Sequence, residues 1–136
     1  MSVLKFNGYV VDNLLYQRNE NFNSKKGEVH LKPQINVNNE INEENIIVHL
    51  KVSVGDLDQS SIPFKVEVAI SGSFQFDSSA DDQDLGIDTF IRNNAVAILY
   101  PYARTLLANL TLSSNEYPSF TLPTINVSKA LDAEKK

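Results

Sequence analysis

The sequence predicts an α+β fold: a four-stranded antiparallel sheet with a long helix packed across it, then a short C-terminal helix. Three observations predict it. Apolar residues alternate with polar ones in successive segments between Val29 and Ile70, the period of half-buried strands. Beyond Asp77 the spacing changes to that of a helix, so strands come first and helix after. The chain has 136 residues, one domain's worth, enough to bury a core without disulfides or metal.

Strand one is read over Leu4 to Tyr16, rich in Val, Leu, Phe and Tyr, with a break near Asp12 and Asn13. The next connection, Gln17 to Gly27, is polar except for Phe22 and long enough for strand one to cross over rather than close a tight hairpin. Strand two carries Val29, Leu31, Ile35 and Val37 in alternation through Pro33; strand three carries Val48, Leu50, Val52 and Val54; strand four carries Ile62, Phe64, Val66, Val68 and Ile70. The links Asn38 to Asn45 and Gly55 to Ser61 are polar and turn-rich, which predicts an antiparallel meander. Val96, Leu99, Tyr100, Ala103, Leu106, Leu107 and Leu110 follow the 3, 4, 7 spacing of a helix, and Ser113, Ser114 and Asn115 end it. With Ala95, Ile98 and Tyr102 the apolar arc exceeds half the circumference, whereas packing on one sheet needs only ~100°, so the surplus face needs another partner. Pro101 removes a backbone bond inside this pattern and should kink or restart the helix. The expectation is one domain over residues 1–136: sheet at about 3–76, acidic loop 77–88, helix at about 94–114, proline-rich loop 115–127, and a short helix at 128–135.

Composition excludes more than it names. With no Cys there is no disulfide framework, thiolate nucleophile or zinc knuckle. The balance of 12 Lys plus Arg against 17 Asp plus Glu, without a basic cluster, argues against nucleic-acid binding. Lys5 and Asn7 interrupt the start where a signal peptide would be apolar, and no window approaches the ~18 apolar residues of a membrane span, so a cytoplasmic location and no membrane insertion are expected.

Two histidines invite a metal reading. If the loop around Glu40 to Asn42 closes strands two and three symmetrically, His30 faces about Ser53 and His49 faces about Gln34. At ~3.4 Å per residue that separates the rings by more than ~10 Å, too far to share an ion, and both are out of phase with the apolar positions, as solvent-facing strand residues are. A calcium loop started at Asp81 places Gln83, Leu85 and Arg92 where oxygen ligands belong, leaving only Gly86 in register. No nucleophile elbow, P-loop or dinucleotide fingerprint occurs. We expect no enzyme, no metal and no cofactor.

Apolar residues in irregular segments stand out: Phe74, Phe76, Tyr117, Phe120, Leu122 and Ile125 flank turns and prolines. They either cap the core or line a groove that binds other chains.

These segments resemble the bacterial export chaperone family SecB. Leu99-Tyr100-Pro101-Tyr102-Ala103-Arg104 is similar to its LFPYAR signature, and the run from Tyr117 to Val127 resembles the FPxLxLxPxNF stretch that follows. Phe64-Lys65-Val66-Glu67-Val68 with Gly72 and Phe74 is similar to its FxxEVxxxGxF strand, and Tyr9 to Asp12 to its Y-x-x-D. The resemblance covers about residues 4–131. It implies Greek-key strand order and a homotetramer, a dimer of dimers with the long helices at the interface, which would use the surplus arc near Ile98 and Tyr102. It implies an ATP-independent holdase that takes unfolded polypeptide into grooves lined here by Leu31, Val37, Phe76, Tyr117, Phe120, Leu122 and Ile125, with Leu31 standing where the family often has Trp. A chaperone for one dedicated partner, such as an antitoxin or phage protein, is the alternative on the same fold. In the family, acids on the sheet face dock the translocase ATPase SecA. Asp12 and Glu67 match that set, while Tyr16 replaces a second carboxylate and Lys65 an apolar neighbour, so weak or absent SecA binding is expected.

Overall fold

The structure, a computed structural model, describes residues 4–23, 31–77, 79, 86 and 90–123, the side chains of residues 92 and 93 excepted. His30, Val29, Ile125, most of the acidic loop and the short helix expected at 128–135 lie outside the described residues.

Four strands form one sheet: β1 (Leu4–Arg18), β2 (Gln34–Asn42), β3 (Asn45–Gly55) and β4 (Phe64–Phe76). Their spatial order is β1-β4-β3-β2 with every pairing antiparallel. The meander β2 to β4 is therefore closed by β1 crossing over to lie beside β4, the Greek-key arrangement.

The first hairpin differs from the sequence expectation. Asn42 pairs with Asn45, so the chain turns at Glu43 and Glu44, Glu43 taking a left-handed φ of 57°, rather than around Glu40 to Asn42. Asn38 and Asn39, read as loop because asparagine favours turns, are strand residues here. Cross-strand pairing along a long β3 outweighs that local preference. The register shifts accordingly: His49 faces Asn38, not Gln34, and Gln34 faces Ser53.

β1 is interrupted twice. Phe6 pairs with Phe74 but Tyr9 with Gly72, and Val11 pairs with Ile70 but Asn13 with Ala69, so Asn7 with Gly8 forms one bulge and Asp12 a second. Gly8 takes a φ of 114°, which disfavours any side chain. Each bulge resets the alternation, and the residues of β1 sharing a face with the buried positions of β4 are Leu4 and Phe6, then Tyr9 and Val11, then Leu14 and Tyr16. The break read near Asp12 and Asn13 is the second of these resets.

The helix α1 (Val96–Ser113) is preceded by a π-helical turn, Ile91–Ala95, and runs through Pro101 without interruption. The restart expected at Pro101 is therefore not seen: the helix continues through it, and the wider winding ends six residues earlier, at Ala95. Val96, Leu99, Tyr100, Ala103, Leu107 and Thr111 are its buried positions, and they meet Val48, Leu50, Val52, Val66, Val68, Ile70 and Phe74 of the sheet in one core. Gly72 makes the close approach possible: a Cβ there would sit 2.6 Å from Leu99 Cδ2 and 2.9 Å from Phe74 Cε1. The helix lies chiefly over β4 and reaches β1 and β3. The inner face of the edge strand β2 lies at the margin of this cover, and exposure rises along it from Ile35 at 3% through half-buried Val37 to Ile41 at 46%.

Candidate functional site: apolar margins and a hydrogen-bonded sheet face

The loop after α1 folds back on the helix, and polar atoms fix it there. Asn115, with a left-handed φ of 58°, ends the helix; the Ser114 hydroxyl donates to the carbonyl of Thr111 at 2.7 Å. The buried Thr111 hydroxyl accepts the N–H of Phe120 at 2.8 Å, and the Tyr100 hydroxyl donates to the carbonyl of Pro123 at 2.8 Å. Burial pushes the pKa of Tyr100 up, keeping it a neutral donor. Phe120 and Leu122 point inward and alternate with exposed Ser119 and Thr121, as an extended segment requires. Leu122 has no exposed surface and belongs to the core; Phe120 is only partly buried against it. Leu122 therefore anchors the loop, while Phe120 stands at its edge.

Tyr117 lies at a cluster no single segment announces. Its ring is 5.9 Å from Phe64 at the start of β4 and 6.1 Å, edge-on, from Phe22 in the crossover; Tyr16 lies 5.5 Å from Phe64. Buried Asn19 holds the crossover in place, its backbone N–H reaching Pro63 at 2.9 Å and its side-chain amide donating to the carbonyls of Gln59 and Ile62 at 2.9 and 2.8 Å. Arg18 forks onto both carboxylate oxygens of Glu116 at 3.0 Å, tying the end of β1 to the loop. This hydrogen bond, followed by the charge of Arg18, holds the Glu116 carboxyl below its ordinary range, while burial pushes the Tyr117 hydroxyl up. The buried hydroxyl of Tyr16 has no partner among the described residues.

The structure does not bring all the expected groove residues together. Phe76 ends β4, twelve residues from Phe64, and packs on Phe90 at 5.6 Å; at ~3.4 Å per residue that is about 40 Å from the Tyr117 cluster. Val37 sits midway along the inner face of β2, opposite Leu50, and Leu31, just before that strand, is half-buried against the core. Two apolar margins result: one around Tyr117 and Phe120, the other around Val37, Ile41 and Phe76. Phe22 and Phe64 are site residues that sequence reasoning missed, although Phe22 was visible as the lone apolar residue in a polar link.

The outer sheet face is polar. Asp12 accepts a hydrogen bond from Ser71, and Glu67 accepts one from the Asn13 amide at 3.0 Å and pairs with Lys51 at 3.2 Å. Both acids singled out in the sequence thus stand on this face, already engaged. His49, expected as an uninvolved solvent-facing residue, is on the outer face but is bonded through both ring nitrogens, to Ser71 at 2.7 Å and Glu40 at 3.1 Å. Among the described residues no group of three or more His, Asp or Glu is placed to hold a metal, and no helix is long and apolar enough to cross a membrane. Tyr102 is 39% exposed and stacks on Tyr9 at 4.6 Å; Ile98 is half-buried; Val11, Leu14 and Leu112 are further exposed apolar residues, which the sequence reading did not single out.

Fold and site together define an α+β protein in which the helix α1 covers the middle of a four-stranded sheet and leaves apolar margins beside it. Comparison with known proteins places that description in a family: the model of the preprotein translocase subunit SecB matches residues 13–136, and the chain belongs to the SecB family. The uncharacterized protein MJ0357 of Methanocaldococcus jannaschii is 33% identical over 130 residues, spanning 91% of this chain and 79% of that protein. Among solved structures, the SecB-like chaperone Rv1957 of Mycobacterium tuberculosis, in complex with a ChAD peptide from the antitoxin HigA1, superposes with a TM-score of 0.69 at 11% identity over 90% of each chain. A protein of unknown function from Streptococcus agalactiae superposes with a TM-score of 0.52 at 13% identity, over 89% of this chain and 97% of that one. Likeness at such identities speaks to fold.

Proposed function

We propose that this single-domain chain is an ATP-independent chaperone that holds non-native polypeptide in extended form along its apolar margins. The observation that carries this is the limited reach of α1. Val37 and Ile41 on β2, with Tyr117 and Phe120 on the strapped loop, keep apolar surface partly open on one framework. Capture by burial needs no nucleotide, since apolar area removed from water yields about 25 cal/mol per Å², less the cost of ordering the client. The loop is held before any client arrives, which limits that cost.

The test is Phe120→Ser, read by aggregation suppression and thermal melting of the same variant. We expect client affinity to fall by about ten- to a hundredfold, corresponding to about 1 to 3 kcal/mol at a central apolar contact. A variant that melts much earlier yet holds clients with unchanged affinity per folded molecule would show Phe120 to be core alone.

A second reading, a chaperone dedicated to one partner, is favoured by the solved SecB-like neighbour that carries an antitoxin peptide. Broad binding of several unrelated unfolded proteins supports the first reading, and binding of one cognate segment the second. The exposed Val11, Leu14, Tyr102 and Leu112, with Ile98, fit self-association into a homotetramer. A cytoplasmic location without nucleic-acid partners suits the charge balance. Handover to SecA is expected to be weak or absent: Asp12 and Glu67 are committed to contacts within the sheet, and Lys65 stands on the same face. Titration calorimetry showing sub-micromolar, salt-sensitive affinity would overturn that expectation.

A further inference from the structure

One row of polar side chains crosses the outer face of the sheet from edge to edge. Glu40 of β2 meets His49 Nε2 at 3.1 Å, His49 Nδ1 of β3 meets the Ser71 hydroxyl of β4 at 2.7 Å, and that hydroxyl meets Asp12, the bulged residue of β1. We propose that His49 is a proton-binding site, and that the proton it takes up fastens all four strands side to side.

The argument is a count of hydrogens. Three contacts link four groups, and each contact needs one hydrogen between its two heavy atoms. Ser71 supplies one, a neutral imidazole supplies one, and carboxylates supply none. Two hydrogens cannot serve three contacts. With the ring hydrogen on Nε2, Nδ1 takes the Ser71 hydrogen and the Ser71 oxygen is left facing the Asp12 carboxylate. With the ring hydrogen on Nδ1, the Nε2 lone pair is left facing the Glu40 carboxylate. Either tautomer leaves two acceptors in contact, whereas an imidazolium donates to Glu40 and to Ser71 and lets Ser71 donate to Asp12. The third proton belongs on the ring because imidazole is intrinsically more basic than a carboxylate by about two units.

The surrounding charges point the same way. Glu40 faces the ring from β2, and Asp12 acts on it from β1 through Ser71. Lys51, the nearest cation on β3, is paired with Glu67 of β4 at 3.2 Å. Lys5 pairs with Gln75 and Lys65 lies six residues before Ser71, so both stand more than ~13 Å along the strand. Directly across on β2 is neutral Asn38. When the proton leaves, the Glu40 link is the one to part, because the Glu40 side chain is 73% exposed and water replaces the ring. Edge strand β2 is then released from this tie and the face gains a free carboxylate, so pH sets both the fastening of the edge and the charge of the face.

The experiment is ring 15N NMR of the full chain between pH 5 and 8, the His49 signals being assigned by their loss in His49→Gln. We expect both ring nitrogens to carry protons in the lower part of the range. The midpoint of proton loss should move down by about half a pH unit or more in each of Glu40→Gln and Asp12→Asn, since each removes an opposite charge. Both carboxylates are exposed, so these variants are expected to fold, and the amide spectrum checks it. A midpoint unmoved in both variants, or a ring that carries one proton throughout, would overturn the proposal.

Discussion

At the scale of single residues, the Arg18–Glu116 pair shows how an exposed contact can matter without adding much stability. Both side chains are accessible and the interaction is screened by water, so its worth is positional. Because the Glu116 carboxyl titrates below its usual 4.5, the contact is fully present above that value and is lost as pH falls through the lower, folded value. Acidification should therefore loosen the loop around Tyr117 before the sheet unfolds. The Tyr117 ring signals in NMR are expected to shift and broaden as pH falls below the ordinary carboxylate range while the β-sheet amides hold; simultaneous change in both would show that the pair does not act locally.

At the scale of elements, the loop from Asn115 to Pro123 depends on one hydroxyl. Thr111 is fully buried and its oxygen is the acceptor for the Phe120 N–H, so Thr111→Val leaves that donor unsatisfied in a nearly unchanged volume. A loss of about 1 to 3 kcal/mol in urea unfolding is expected, with weaker client holding, because the loop rather than the helix is released. This hydroxyl could not be read in advance: a threonine in the last turn of a helix has many ordinary uses. The helix itself was legible, since Val96, Leu99, Tyr100, Ala103 and Leu107 recur at the spacing that buries one face. The β2–β3 turn was not, because asparagine is common in turns, and the pairing that overrides it lies on a different strand. The cluster of Tyr16, Phe22, Phe64 and Tyr117 escaped for a related reason: its members are joined only by topology. The apolar character of the proline-rich loop was visible, but which of Phe120 and Leu122 is buried depends on how the loop is strapped to α1.

At the scale of the whole molecule, several large apolar side chains stay open to solvent on the isolated chain. Val10, Val11, Leu14, Tyr102 and Leu112 are between 39% and 63% exposed, and the proposed tetramer would cover part of this surface. Light scattering at micromolar concentration should return about four times the chain mass of 15.2 kDa; a value near 15.2 kDa itself would count against self-association through these residues.

The two interruptions of β1 carry a consequence for a protein whose proposed clients are unfolded. A flat outer edge is a template on which any extended peptide can add rung by rung, and further peptides on that one, which is how fibrils grow. β1 presents no such template. Its outward-facing amides and carbonyls fall out of step at Asn7–Gly8 and again at Asp12, so an incoming strand stays in phase for only a few residues unless it is kinked at the same intervals. If clients are gripped by their side chains on the apolar margins, as proposed, backbone pairing along this edge would be confined to the short stretches between and beside the bulges, which disfavours the long in-register growth of a fibril.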